Sequence, residues 1–152
     1  MRNSIYILET LQDLGFLYHI DEPSHDEPFI VPVRGRDFVT VPYTLHMNDI
    51  VSFVGWNPTA YEQALRDEFD QLYEEGANRR RMMVVSLHDR ISGHAGRVRS
   101  LDRFLTYARS KPDVWFARKD EIARWALSNR SATPVVKRGP PTVTGLPGEV
   151  AS

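Results

Sequence analysis

Residues 81–125 constrain the chain more than any other stretch. Met82, Met83, Val84, Val85 and Leu87 form an apolar run too short for a stable helix and rich enough in Val to predict a buried strand. The run ends on His88, which is followed by Asp89 and a Gly-containing loop. A periodic helix comes next, with Val98, Leu101, Phe104, Leu105 and Ala108 as its inward stripe and Arg97, Arg99, Arg103 and Arg109 mostly elsewhere. Lys111, Pro112 and Asp113 stop that helix. Val114, Trp115, Phe116 and Ala117 then predict a second short buried strand, and residues 120–127 a helix that turns Ile122 and Trp125 inward. In parallel sheets a ligand sits beyond the carboxyl ends of the strands, which makes the strand-end His88 a site candidate.

The preceding residues read the same way. Ile5, Leu8, Leu11 and Leu14 recur every three residues behind a cap at Ser4, and Gly15 marks the end of that helix. Phe16, Leu17 and Tyr18 lead into an acidic, Pro-containing loop flanked by His19 and His25. With Asp21, Asp26 and Glu27 these histidines can be drawn as a metal site, although loops collect such residues in any case. Phe29, Ile30 and Val31 reach a turn at Arg34, Gly35 and Arg36. The run from Phe38 to Leu45 is strand-like, with Pro42 limiting it to an end or edge. It delivers the polar cluster His46, Met47, Asn48 and Asp49 to a strand end, the same geometric position as His88. Thr59 and Glu62 form a capping box ahead of a helix whose Tyr61, Leu65, Phe69, Leu72 and Tyr73 face inward, while Glu62, Arg66, Asp67, Asp70 and Glu74 form a solvated face. Arg79, Arg80 and Arg81 read as a solvated strand entry.

Crossovers of this length between strands predict parallel pairing and an α/β sheet or part of a barrel. The 152 residues suit one domain able to bury roughly 70% of its extended surface. Residues 1–128 are taken as that domain and residues 129–152, rich in Pro, Gly, Ser and Thr, as a disordered tail. A complete barrel of this type needs about 250 residues, so the arrangement reads as a portion of one. The net charge of −1, with both signs interspersed, excludes a nucleic-acid footprint or an attraction to anionic membranes. Cysteine is absent, which excludes disulfides, thiol nucleophiles and Cys-ligated metal. No window approaches the roughly 20 apolar residues of a membrane span, and a soluble, cytoplasmic protein is expected.

Several segments together resemble the NodB-like polysaccharide deacetylases. These are Tyr43 Thr44 Leu45 with Asn48 Asp49, the helix end Leu72 Tyr73 Glu74 Glu75 Gly76, then Ser86 Leu87 His88, Gly93, Gly96 Arg97, Leu101 and Arg103 Phe104 Leu105. Val114 Trp115 Phe116 Ala117 Arg118 with Ile122 Ala123 completes the set, and Gly15 Phe16 Leu17 Tyr18 fits as well. Within the family they look most like the branch of allantoinase-type and cyclic-imide hydrolases, over about residues 11–125. The resemblance implies the C-terminal part of a distorted (β/α) barrel that hydrolyses a non-peptide carbon–nitrogen amide bond. The family's early Thr-Phe-Asp-Asp type motif and its His-rich motif, which build the metal and base side, do not occur here. No cofactor is therefore expected in this chain, while a divalent metal such as zinc belongs to the full-length family. The resemblance further implies that His88 is the general acid for the leaving nitrogen and that Asp49 orients it. Asp89 stands where a proline or small polar residue is commoner, and His94 and Ala95 replace an Arg-Pro pair.

His46 and His94 are expected on the same rim as substrate-binding neighbours. His88 and His94, six apart across a Gly loop, match no compact ligand spacing, so no independent metal site is expected from them. Three functional readings follow. The chain is a truncated deacetylase-like amide hydrolase lacking its metal and base half, with a small amide or an N-acetylated sugar as substrate once completed. Alternatively it is a non-catalytic half-barrel that pairs with itself or with a complementary chain through an open sheet edge. The third, a self-sufficient hydrolase using Asp49 and His88 alone, is disfavoured because an acid without an activated water leaves most of the barrier in place.

Overall fold

The computed structural model describes residues 6–138. The N-terminal helix α1 (Ile7–Asp13) is followed by β1 (Tyr18–His19), β2 (Phe29–Val33) and β3 (Arg36–Thr40). Helices α2 (Asp49–Ser52), α3 (Pro58–Gly76), α4 (Asp89–Ser92), α5 (Ala95–Arg109) and α6 (Lys119–Ser128) complete the order, with a 3-10 turn at Arg130–Ala132. Ser4 and Ile5, expected to open the first helix, lie outside the described residues; Leu14 is exposed, and Gly15 turns the chain at φ 81.

The sheet has the order β1-β3-β2, with β1 and β3 parallel and β2 antiparallel to β3. Arg34 and Gly35 both take positive φ, at 48 and 77, which is the conformation a two-residue hairpin loop requires for its twist to match that of the strands. The expectation of uniformly parallel, helix-connected strands is thereby corrected. The Arg34–Gly35 turn is too short for a crossover and folds β2 directly back on β3. Period-two alternation then divides the hairpin's side chains between two faces. Phe29, Val31, Val33 and Phe38 pack with Leu8 of α1, while Ile30, Val39 and Val41 pack with Ala123 and Ala126 of α6. Covered on both faces, the hairpin reads as a nearly continuous apolar run.

A second core lies between α3 and α5. Tyr61, Leu65 and Phe69 meet Phe104 and Ala108, and Met47 and Phe53 close one end. Asn57, not Thr59, caps α3: its side chain accepts from the Ala60 amide at 2.9 Å, and Pro58 occupies the first turn, where its missing N–H costs nothing. Glu62 is freed from capping. It pairs with Arg66 and Arg103 and is only 13% exposed, so this part of the expected solvated face is covered by α5. On α5, Ser100, Phe104 and Ala108 are buried, whereas Val98 and Leu105, expected inside, are exposed because the contact with α3 follows a narrower stripe.

Residues 82–87 run extended but form no ladder. One parallel bridge joins Asn48 to Ser86, with Ser86 N donating to Met47 O at 3.0 Å and Asp49 N to Ser86 O at 3.1 Å. Thr44 Oγ1 also donates to Val84 O at 3.1 Å. The second expected buried strand is corrected: residues 114–117 have no strand partner among the described residues, and Trp115 and Phe116 are 57% and 48% exposed. The arginine patch is not simply solvated. Arg81 bridges Glu27 and Glu75, Arg79 joins Glu75, and Arg80 lies over the Trp125 ring.

Packing also continues past the boundary drawn at residue 128. Thr133 is buried with its hydroxyl donating to Ala126 O and Asn129 O, and Val135 bridges Ile30 in parallel. Residues 139–152 of the expected tail lie outside the described residues. Among the described residues no helix is long and apolar enough to cross a membrane.

Candidate active site

Two neighbouring extended segments, joined by the Asn48–Ser86 bridge, each run into a single helical turn. On the first, Asn48 caps α2 with its side chain and Asp49 is the first helical residue, wholly buried. On the second, His88 sits at the cap of α4 with extended φ and ψ, and its carbonyl accepts from the Ile91 and Ser92 amides. Parallel pairing aligns the two ends, so the side chains meet.

Asp49 Oδ1 accepts from His88 Nδ1 at 2.6 Å. Its other oxygen, Oδ2, accepts from the His88 amide at 2.8 Å and from Ser92 Oγ at 2.6 Å. Burial alone would push the Asp49 carboxyl up. The His88 amide, the Ser92 hydroxyl and the His88 ring together outweigh it and hold the group below its ordinary value. An ionised Asp49 accepts only, so Nδ1 carries a proton and Nε2, with no partner among the described residues, is left to exchange one. The His88 side chain is 38% exposed, which gives the ring access to solvent while the carboxylate beneath it has none.

The other two expected neighbours stand apart from this pair. His46 turns to α3, where its Nε2 lies 2.8 Å from Glu68 Oε1, and it lines small cavities with Thr44 and Asp26. His94 caps α5 through its carbonyl only, and its side chain is exposed. Neither hydrogen-bonds to Asp49 or His88. His19 is not a loop residue: it lies in β1, buried, with Nε2 2.9 Å from Thr40 Oγ1 and its basicity lowered by burial and then by Arg138. His25 packs on Phe29 with its Nδ1 beside Ser24 Oγ.

Sequence reasoning missed Ser92, the buried third partner of Asp49. A serine inside a short helical turn carries no pattern that separates it from a surface residue; its position four after His88 is the only signal available. Behind it stand Tyr61, wholly buried, and Arg97, whose guanidinium lies 5.3 Å from the Tyr61 ring and donates to the Phe53 and Trp56 carbonyls.

Among the described residues no group of three or more His, Asp or Glu side chains is placed to hold a metal ion. The described residues therefore do not by themselves fit the cation that the family resemblance implies.

No family model matches the chain. A Schizosaccharomyces pombe protein named "Putative polysaccharide deacetylase" is 35% identical over 139 residues, which cover 81% of this chain and 43% of that protein. A solved structure described as a "probable Polysaccharide deacetylase" from Pseudomonas aeruginosa is 36% identical with a TM-score of 0.73, covering 84% of this chain and 45% of that one. The structure of Puue Allantoinase gives 34% identity, a TM-score of 0.73 and the same coverages. A Mycobacterium smegmatis structure at 23% identity and TM-score 0.75 covers 92% of this chain and 51% of its own, a likeness of fold alone. The chain thus spans about half the length of the proteins it matches. Its α/β arrangement is the C-terminal part of a distorted (β/α) barrel, consistent with that coverage. The chain is thus similar to polysaccharide deacetylases and to an allantoinase, over a stretch that fits a C-terminal portion of those proteins.

Proposed function

We propose that this chain supplies the proton-donating side of a hydrolase acting on non-peptide carbon–nitrogen amide bonds, with a small amide or an N-acetylated sugar as substrate. The observation that carries the reading is the 2.6 Å contact between the buried Asp49 carboxylate and the half-exposed His88 ring. Water adds to the carbonyl carbon, giving a tetrahedral centre whose carbon–nitrogen bond breaks only as the nitrogen gains a proton. Protonated His88 gives that proton from Nε2, the amine leaves, the acid remains on the other product, and the imidazole is left neutral. Asp49 holds Nδ1 and so fixes the tautomer and the orientation of the ring. A positioned general acid of this kind contributes about 10²- to 10⁴-fold. The groups that activate the water come from residues this chain does not match.

The test is complementation. The purified chain is mixed or co-expressed with the N-terminal remainder of the Schizosaccharomyces pombe relative and assayed on allantoin and on acetylated amino sugars. Turnover should appear only in the mixture and should vanish with His88→Ala. Turnover in the mixture that survives His88→Ala would remove the acid role, and turnover by this chain alone would favour a self-sufficient hydrolase.

A second reading, a non-catalytic half-barrel that pairs with itself or a complementary chain, is favoured by a different observation. Trp115, Phe116 and Leu87 are 57%, 48% and 44% exposed on extended segments that lack ladder partners among the described residues. A stable dimer in size-exclusion chromatography supports it, and a monodisperse folded monomer removes self-pairing.

A further inference from the structure

We propose that Ser92 is a positioning residue for the His88 imidazole, acting through Asp49; the proposal rests on the reading of His88 as the proton donor. A carboxylate that grips an imidazole by one oxygen is free to rotate about its own axis unless the other oxygen is held. In this chain the second oxygen has two donors. One is the His88 amide, at 2.8 Å, and the other is Ser92 Oγ, at 2.6 Å. With Oδ2 fixed from both, Oδ1 is presented to Nδ1 in one orientation.

The hydroxyl's hydrogen bond runs to Asp49 and not to the backbone of its own turn. A serine in a helical turn ordinarily bonds back to the carbonyl four residues earlier. For Ser92 that acceptor is His88 O, which already takes the Ser92 amide at 2.8 Å. The hydroxyl instead reaches Asp49, 43 residues away in sequence, and Ser92 is 4% exposed. The Tyr61 hydroxyl lies near Ser92 and burial makes it a weaker acid, yet it makes no hydrogen bond of normal geometry among the described residues. Ser92's one proton is therefore spent on the carboxylate. Because His88 opens the turn and Ser92 closes it, a single turn of helix brings both of its ends to the same anion. The chain tightens directly afterwards: a Cβ at Gly93 would stand 2.2 Å from Asp89 O, so the turn carrying Ser92 has no slack on that side.

The experiment is imidazole nitrogen and proton NMR on the full chain with labelled histidine, which reads the tautomer without needing turnover. In the unsubstituted protein neutral His88 should carry its proton on Nδ1, with a downfield, exchange-protected signal that disappears in His88→Ala. Ser92→Ala should shift the ring toward a mixture of tautomers and make the Nδ1 proton exchange about tenfold faster, the scale of one lost charge-assisted bond. Ser92→Thr, which keeps the hydroxyl, should restore the original signature. A Ser92→Ala protein that folds and keeps the original tautomer and protection overturns the proposal. Should the alanine variant not fold, Ser92→Cys carries the test: retention of the original signature with so weak a donor overturns the proposal equally. If the unsubstituted protein itself shows no Nδ1 proton on His88, the acid reading fails instead, and the two failures are told apart.

Discussion

Asp49→Asn is the most informative single change, because it keeps the shape of the buried group and alters only what its two ends can do. Three donors converge on the carboxylate: the His88 ring, the His88 amide and the Ser92 hydroxyl. An amide has one acceptor end and one donor end. Two donors meet at the position of Oδ2 and one at Oδ1, so the amide oxygen takes the Oδ2 position and its NH₂ faces His88 Nδ1. The ring must then accept at Nδ1 and move its proton to Nε2. The imidazolium, with protons on both nitrogens, now faces a donor in place of an anion. A hydrogen bond to a charged group is worth about 1.5–3 kcal/mol, and the variant loses that bond, so the Nδ1 proton signal should vanish and the neutral ring should carry its proton on Nε2. The ring nitrogen shifts of labelled His88 measure this directly, with a thermal melt to confirm that the variant is folded. A folded variant whose His88 tautomer matches the unsubstituted protein would refute the coupling of the two groups, and the acid reading with it.

Three further outcomes follow from the packing and charge. Gly93→Ala should lower the melting temperature and broaden the His88 resonances, since its Cβ meets the Asp89 carbonyl at 2.2 Å; overpacking of this kind costs about 1–3 kcal/mol in a chemical denaturation series. Leu65→Ala, at a wholly buried site between α3 and α5, should cost about 2–5 kcal/mol, while Trp115→Ala, on an exposed segment, should stay within about 0.5 kcal/mol in the same series. The third concerns acid. Asp49's folded value is depressed, so the unfolded chain binds its proton more readily; the stability it contributes is fully present above the ordinary aspartate value of about 4 and is lost as pH falls through the depressed one. Denaturant midpoints measured downward from pH 5 should therefore fall, and the fall should be shallower in Asp49→Asn.

Asp49 and His88 were each legible as strand-end candidates from the sequence, and their pairing only through the family resemblance. Each residue follows an apolar run, and the runs are separated by a helix long enough to set them parallel. Helix interiors were legible for the same reason: Tyr61, Leu65 and Phe69 recur at helical spacing and are buried as that spacing requires. What failed was whatever depended on a neighbour. Val114, Trp115 and Phe116 have the composition of a buried strand, but burial needs a covering surface: Val114 finds one on the α3–α5 core, while Trp115 and Phe116, the latter with only Arg109 over its ring, are left about half exposed. Val98 and Leu105 belong to the apolar side of α5 by period, yet α3 meets only the strip through Ser100, Phe104 and Ala108. The hairpin shows the opposite case. Its Arg34–Gly35 turn was visible, but Phe29, Ile30 and Val31 are consecutive buried apolar residues and so are Phe38 and Val39, so no alternation marked the two strands as an antiparallel pair. Ser92 and His19 are harder still, since their roles come from single contacts with Asp49 and Thr40 at separations of 43 and 21 residues.

The same distinction bears on how the proposed acid is built. Every contact that orients His88 arises within this chain: the Ser86 amide on Met47 O, the Asp49 amide on Ser86 O, and the three donors on the Asp49 carboxylate. None of them uses residues 114–117, the segment left without a partner. Whatever covers Trp115 and Phe116 would therefore meet a donor pair already in its working orientation, and would change what the pair acts on more than how the pair is held. His88 should accordingly show its Nδ1-protonated tautomer in the isolated chain, before any partner is added. A tautomer that appeared only on complementation would mean that the pair is assembled by the partner and not by the parallel Asn48–Ser86 bridge.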